Sequence, residues 1–287
     1  MTNVVIPNQK NLDRKIQAIR QDGPQLLHIL SDFDQTLIKA FVNGKIVQSL
    51  TVTLRDHSLL TPDYNEKARA LAGLYYPIET DPATPLLEKK QAMHEWWTKI
   101  YALMIDSGLT RQHLAKVIEL TKARLRAGTS DFFKTLNQHD IPLVIMSATG
   151  IGAEAIGMFL EKNGVLLPNV HIIGNNFIWD NDGKAIGVRD PIIHSLNKDE
   201  TAIQNFPVYK EVKNRKNVLL LGDFIDDLGM VQGFDYDNLI SVGFLNDNKE
   251  KQLPSYRENF DVIITNDGPM NYINKLLGDM LQYHHEK

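Results

Sequence analysis

The sequence contains no cysteine in 287 residues. That absence excludes disulfides, thiolate-bound zinc, iron–sulfur clusters and a thiol nucleophile. Excess positive charge is missing as well. Lys and Arg number 31 against 35 Asp and Glu, a net charge of −4, which argues against a nucleic-acid partner. No window approaches the roughly 18 apolar residues of a membrane helix. The opening MTNVVIPNQKNLDRKIQAIRQ lacks the roughly 7–15-residue apolar run of a signal peptide. A soluble cytoplasmic protein with no membrane partner is the expectation. Internal repeats and low-complexity tracts are also absent. What is present is ordinary for a globular chain, with 43% hydrophobic and 23% charged residues, enough for a buried core.

Short apolar runs bounded by turn residues predict strands at 26–31, 142–147, 170–173, 218–222, 239–242 and 262–264. Amphipathic stretches at 151–162, 200–209, 228–233 and 270–281 fall between the later ones. That alternation is the pattern of an α/β domain whose strand C-termini line one edge of a parallel sheet. The stretch after the first strand breaks it. A hairpin is expected at 41–48 around Asn43-Gly44, followed by helices at 62–74, 86–107 and 111–126. In the second of these, Met93, Trp96, Trp97, Ile100 and Met104 share a face. The region therefore reads as a helical insertion between the first two strands.

The first strand ends in Ser31-Asp32-Phe33-Asp34-Gln35-Thr36. Further polar groups arrive at or after later strands: Ser147, then Lys198, then Asp223 and Asp227. Two aspartates, a hydroxyl, a lysine and two more acids at one edge have a coherent chemistry. Asp32 can attack phosphorus and form an aspartyl phosphate, splitting one hard displacement into two easier ones. Attack by an anion on a dianion needs neutralisation, which Mg²⁺ on Asp32, Asp223 and a backbone carbonyl, with Lys198 opposite, would supply. Asp34 would protonate the leaving alkoxide and later deprotonate water, which requires a raised pKa. Ser147 and the N–H groups after it, aided by the next helix N-terminus, would hold phosphate oxygens.

In this order, Asp-Phe-Asp-x-Thr, the strand-end Ser, the Lys and Gly-Asp-x-x-x-Asp resemble the haloacid dehalogenase (HAD) superfamily of phosphotransferases. Further segments resemble the cytosolic pyrimidine 5′-nucleotidase family, of the cytosolic 5′-nucleotidase III type. They are Tyr75-Tyr76-Pro77-Ile78-Glu79-Thr80-Asp81-Pro82, Glu95-Trp96-Trp97-Thr98-Lys99, His139-Asp140-Ile141-Pro142, Asn197-Lys198 and Gly243-Phe244-Leu245-Asn246-Asp247. The likeness runs from about residue 26 to residue 277.

The resemblance implies a HAD-like doubly wound parallel-sheet α/β core, 1–40 with 128–287, and a helical cap domain, 41–127, inserted after the first strand. It implies magnesium-dependent hydrolysis of nucleoside 5′-monophosphates, UMP and CMP foremost, with some phosphate transfer to other nucleosides. Asp32 is the implied nucleophile and Asp34 the acid/base, with Mg²⁺ on Asp32, the Asp34 carbonyl and Asp223. Ser147, Ala148 and Lys198 would hold phosphate, Glu79 would contact the nucleoside, and Thr36 and Asp227 would support the site. A monomer or weak homo-oligomer is expected.

Some positions depart from the family. Gln35 stands where Met is usual. Ser147-Ala148-Thr149-Gly150-Ile151-Gly152 is one residue longer than the usual loop, which leaves open the N–H groups that reach phosphate. Asp226 adds a charge without an assigned role, and Ile100 stands where the family often has Ser. Trp96 and Trp97 are read either as insertion core or as a stacking platform for a base. Asp180-Asn181-Asp182-Gly183 begins like a calcium loop but lacks the later glutamate, so a hairpin turn between 177–179 and 185–188 is expected. His284 and His285 are read as a frayed end. Gly150-Ile151-Gly152-Ala153-Glu154-Ala155 matches a dinucleotide fingerprint and offers an NAD-dependent oxidoreductase as the rival. That reading lacks the acid about 20 residues on and sits on the wrong strand. A HAD phosphatase for another small phosphometabolite is the nearer alternative.

Overall fold

Aliphatic runs too short for a helix become strands at the centre of the molecule. The structure, a computed structural model, describes residues 3–198, 203–232 and 234–282. The chain opens with β1 (Val4–Val5), α1 (Gln9–Asp22) and β2 (Leu27–Ser31). The Asn8 side chain caps α1 by accepting the Asn11 N–H. Next come β3 (Phe41–Val42), β4 (Lys45–Ile46), α2 (Leu50–Asp56), α3 (Tyr64–Thr80), α4 (Leu86–Asp106) and α5 (Arg111–Leu120). The chain returns through α6 (Thr129–Gln138) to β5 (Leu143–Met146), α7 (Ala153–Lys162), β6 (Val170–Ile173) and the hairpin β7 (Phe177–Trp179) with β8 (Ala185–Val188). It closes with α8 (Tyr209–Val212), β9 (Asn217–Gly222), β10 (Asn238–Leu245), α9 (Lys249–Asn259), β11 (Val262–Thr265) and α10 (Asn271–Leu281).

The main sheet runs β1-β11-β10-β9-β2-β5-β6. All its pairings are parallel except that of β1, which lies antiparallel along β11. Side chains alternate between two apolar layers: Ile29, Leu219 and Leu221 pack on one face, Leu30, Val218 and Leu220 on the other. Burial on both faces explains why these strands read as continuous apolar runs. From β2 the order runs one way through β5 and β6 and the other way through β9, β10 and β11. The loops after β2 and β9 therefore diverge at a topological switch point, where α/β sheets open a crevice.

Several expectations needed correction. The helix expected at 62–74 extends to Thr80 as α3, with Pro77 inside it. Glu79 thus lies on a helix rather than in a connector. The helix expected at 111–126 stops at Leu120, because the segment after it turns to pair with the chain leaving β2. Ile38 bridges Leu125, and the Lys39 and Arg126 N–H groups donate to the Arg124 and Leu37 carbonyls.

Of the stretch expected as a helix at 228–233, residue 233 lies outside the described residues and 228–231 belong to a 3₁₀ turn, Ile225–Val231. Of the 200–209 stretch, residues 200–202 lie outside the described residues, Ile203–Asn205 form a 3₁₀ turn, and only Tyr209 is α-helical, as the first residue of α8. His284 and His285 also lie outside them. The two hairpins form as expected: Asn43 and Gly44 both take positive φ between β3 and β4, and β7 pairs with β8.

Candidate active site

Asp32 directly follows β2, which lies between β9 and β5. Register puts Ser31 beside Leu221 and Ile145, so Asp32 falls beside Gly222 and Met146, the last residues of those neighbours, and Asp223 and Ser147 follow them directly. The Asp32 N–H donates to the Leu221 carbonyl at 3.0 Å. Asp32, Ser147, Asp223 and Asp227 are all buried. Lys198 reaches in from the segment after β8, its Nζ 2.5 Å from Asp32 Oδ1 and 3.0 Å from Asp227 Oδ1. The other Asp227 oxygen accepts the N–H groups of Asp223 and Phe224 at 3.1 and 3.0 Å. Asp227 packs so closely over Gly222 that a Cβ there would meet the Asp227 Cβ at 2.5 Å.

Carboxylate oxygens of Asp32, Asp223 and Asp227 lie within 4.8 Å of one another. Burial raises Asp32 above the usual carboxylate range, Lys198 pulling it down and Asp227 adding to the rise. Burial also lifts Asp223 well above that range, reinforced by Asp32 and Asp227. Asp34, on the turn after β2, is pushed up to about 6 by burial, with Lys198 opposing. Burial disfavours the Lys198 charge, yet Asp32 and Asp227 more than offset it and hold the ammonium above its ordinary value. One ammonium among these carboxylates leaves negative charge uncompensated, so the oxygen set fits a small hard cation. Asp227 already spends its oxygens on Lys198 and backbone N–H groups, so Asp32 and Asp223 are the carboxylates best placed to bind one.

The loop after β5 is tightly engaged. Ser147 Oγ accepts the Thr149 N–H at 3.2 Å, and the Ala153 N–H at the start of α7 donates to the Asn175 carbonyl. That first amide of α7 is therefore committed within the fold, and Ser147 with half-buried Ala148 remains nearest β2. A Cβ on Gly150 would meet the Trp97 ring at 2.7 Å and Thr51 at 2.9 Å. Side chains fill the space over the glycine-rich turn, which leaves no cradle for a dinucleotide.

Trp97 and Trp96 are each half-buried and stack in series with Tyr75 and Tyr101. Ile100 is buried in the core. Glu79 Oε1 accepts from Ser195 Oγ at 2.7 Å, tying α3 to the segment that carries Lys198. Thr36 is buried, its hydroxyl without a partner among the described residues. Asp226 is exposed and stands outside the carboxylate cluster. Sequence reading passed over Tyr256, whose hydroxyl donates to the Asp223 carbonyl.

The family model for pyrimidine 5′-nucleotidase (UMPH-1) matches residues 35–281. The chain belongs to the pyrimidine 5′-nucleotidase family. The match begins one residue after Asp34, so the placement of Asp32 and Asp34 rests on the geometry above. Among curated relatives of this nucleotidase, the 7-methylguanosine phosphate-specific 5′-nucleotidase of Homo sapiens is 34% identical over 267 residues, covering 93% of this chain and 88% of that protein. A Xenopus laevis protein of the same name, form A, is 33% identical over 269 residues, 93% and 92% of the two chains. The crystal structure of cytosolic 5′-nucleotidase IIIB bound to cytidine superposes with a TM-score of 0.86 at 28% identity, covering 100% of this chain and 96% of that one. A substrate-bound phosphoserine phosphatase, TM-score 0.51 at 16% identity over 87% and 96% of the chains, shares the fold.

Proposed function

We propose that this nucleotidase hydrolyses nucleoside 5′-monophosphates by way of an acyl phosphate on Asp32. The observation that carries the reading is the buried Asp32 carboxylate, paired with Lys198 and clustered with Asp223 and Asp227. Asp32 forms a bond to phosphorus as the bond to the ribose 5′-oxygen breaks, and the leaving oxygen takes a proton from Asp34. Water then attacks the same phosphorus while Asp34 takes back a proton, and Asp32 leaves as a carboxylate with inorganic phosphate released. A carboxyl raised to about 6 is matched to both duties near neutral pH. Lys198, Ser147 Oγ and the Ala148 N–H hold the phosphoryl oxygens.

Asp32, the Asp34 carbonyl and Asp223 would hold Mg²⁺, which neutralises charge on the phosphoryl group. Asp227 and Thr36 brace the site. Residues 41–127 act as a cap that closes over the substrate and excludes bulk water. Glu79 on the cap contacts the nucleoside, and a nucleoside hydroxyl can replace water in the second step, giving phosphotransfer. UMP and CMP are the expected substrates, in keeping with the family description and with the cytidine bound in the related structure. The names of the Homo sapiens and Xenopus laevis relatives favour 7-methylguanosine monophosphate as a second reading. A cytoplasmic location accords with the name of a Caenorhabditis elegans relative, putative cytosolic 5′-nucleotidase 3. No helix among the described residues is long and apolar enough to cross a membrane.

The test is phosphate release from UMP, CMP, 7-methylguanosine monophosphate, sugar phosphates and phosphoserine, with Mg²⁺ and with EDTA. Turnover confined to nucleotides, lost in EDTA and restored by Mg²⁺, is expected. Asp32→Asn should lose activity by on the order of 10⁴ or more while keeping its melting curve. Substantial residual release by that variant, or a preference for phosphoserine, overturns the reading.

A further inference from the structure

We infer that Arg126 is a positioning residue that holds the backbone of the Asp34 turn, with Asn246 as its partner. The inference rests on the assignment of Asp34 as acid/base. Arg126 lies on the strand-like segment returning to the core, and its side chain is 0% exposed. All five of its N–H donors are placed. Nε donates to the Thr36 carbonyl at 2.6 Å, and Nη1 donates to Asp267 Oδ1 and the Gly268 carbonyl, each at 2.9 Å. Nη2 donates to the Gln35 carbonyl and, at 2.7 Å, to Asn246 Oδ1. The guanidinium lies over the Phe244 ring, 4.2 Å from its centre.

Two of those acceptors are the carbonyls that immediately follow Asp34. Gln35 takes a positive φ of 56°, a conformation that costs a side chain-bearing residue free energy and that its surroundings here offset. The Gln35 carbonyl accepts from Arg126 and from Asn246 Nδ2, the latter at 2.9 Å. The turn is otherwise closed by the Leu37 and Ile38 N–H groups, both donating to the Phe33 carbonyl. A general acid gains from being held within a fraction of an ångström of the leaving oxygen. A planar five-donor fork is the side chain that can fix two consecutive carbonyls at once, and lysine cannot reproduce it.

A purely structural role would lower stability and slow every substrate alike. A positioning role weakens proton delivery, so the loss follows the leaving group. The full-length protein is assayed as wild type, Asn246→Ala, Arg126→Lys and Asp34→Asn, with UMP and with p-nitrophenyl phosphate, whose leaving group needs no proton. Asn246 is partly exposed, so its alanine variant should fold, which a thermal melt checks. Asn246→Ala should lower kcat/KM on UMP about tenfold through kcat, with less than about a threefold loss on p-nitrophenyl phosphate. Arg126→Lys should lose more with the same selectivity; if it fails to fold, Asn246→Ala decides. Equal losses on both substrates, no loss, or a loss confined to KM overturns the positioning role when Asp34→Asn is itself selective. An unselective Asp34→Asn overturns the acid assignment instead, and the positioning role with it.

Discussion

Two lysine–carboxylate pairs of nearly equal length lie in two regions of the molecule. At the sheet edge Lys198 stands 2.5 Å from Asp32, the side chains 11% and 7% exposed. On α4, Lys99 stands 2.6 Å from Glu95, with 48% and 57% exposed. Distance does not distinguish them; surroundings do. Water and counterions screen the α4 pair, and ordering two long side chains offsets most of its attraction. At the sheet edge further carboxylates crowd the pair and solvent is largely excluded, so each charge is felt strongly by its neighbours. Charge that bulk water would dilute is thus concentrated at the sheet edge, while the α4 pair stays solvated.

Replacing each lysine in turn sharpens the contrast. Lys198→Met should lower phosphate release from nucleotides by on the order of 10²–10³, because the charge that offsets the phosphoryl oxygens is gone. Without divalent ions it should also lose roughly 3–5 kcal/mol of stability, since its buried carboxylates are left without a cation. Assays with and without Mg²⁺, together with urea titrations in EDTA, check both. An activity loss below tenfold would put this pair in the same class as the exposed one.

How much of this was legible in the sequence follows the same division. The buried strands announce themselves as apolar runs, and their register then forces Asp32, Ser147 and Asp223 together. Lys198 was legible only as one member of the polar set, with weak local support from the apolar stretch before it; most of its weight came from the resemblance. Helix α1 and helix α9 were missed because their sequences are largely polar, and α9 carries Pro254 inside it. The 111–126 helix was overextended because its pattern continues past Leu120, whereas pairing with residues 37–39 wins in the fold. Arg126 was invisible for a similar reason. Its acceptors are backbone carbonyls about 90 residues earlier and polar groups more than 100 residues later, and no spacing rule encodes them.

His28 extends the comparison to a buried imidazole. It sits in β2, and among the described residues neither ring nitrogen has a hydrogen bond. Burial pushes it down to about 4; the Arg215 backbone opposes the shift and the Arg215 charge adds to it. A depressed folded-state value means that the unfolded chain takes up the proton first as pH falls. Stability from this group is intact above about pH 6.5 and is lost progressively toward pH 4, by about 3 kcal/mol at most. His28→Leu should therefore show a flatter decline of the urea midpoint between about pH 7 and pH 4 than the wild type. Parallel declines would show that the imidazole is already charged, or solvated, in the fold.

The smallest effect belongs to the exposed pair. Glu95 and Lys99 are one helical turn apart, and Lys99 Nζ also donates to the Tyr75 hydroxyl at 2.7 Å. Glu95→Gln should move the melting temperature by no more than about a degree or two, and about 1 M salt should erase the difference because screening then acts over roughly 3 Å. Lys99→Met is the sharper probe, since it also frees the ring that stacks on Trp96. If α4 contributes only packing, kcat and KM for nucleotides stay within about twofold of wild type. A rise in KM for nucleotides without one for p-nitrophenyl phosphate would instead make the Tyr75–Trp96 stack part of the nucleoside subsite, and the exposed lysine its support.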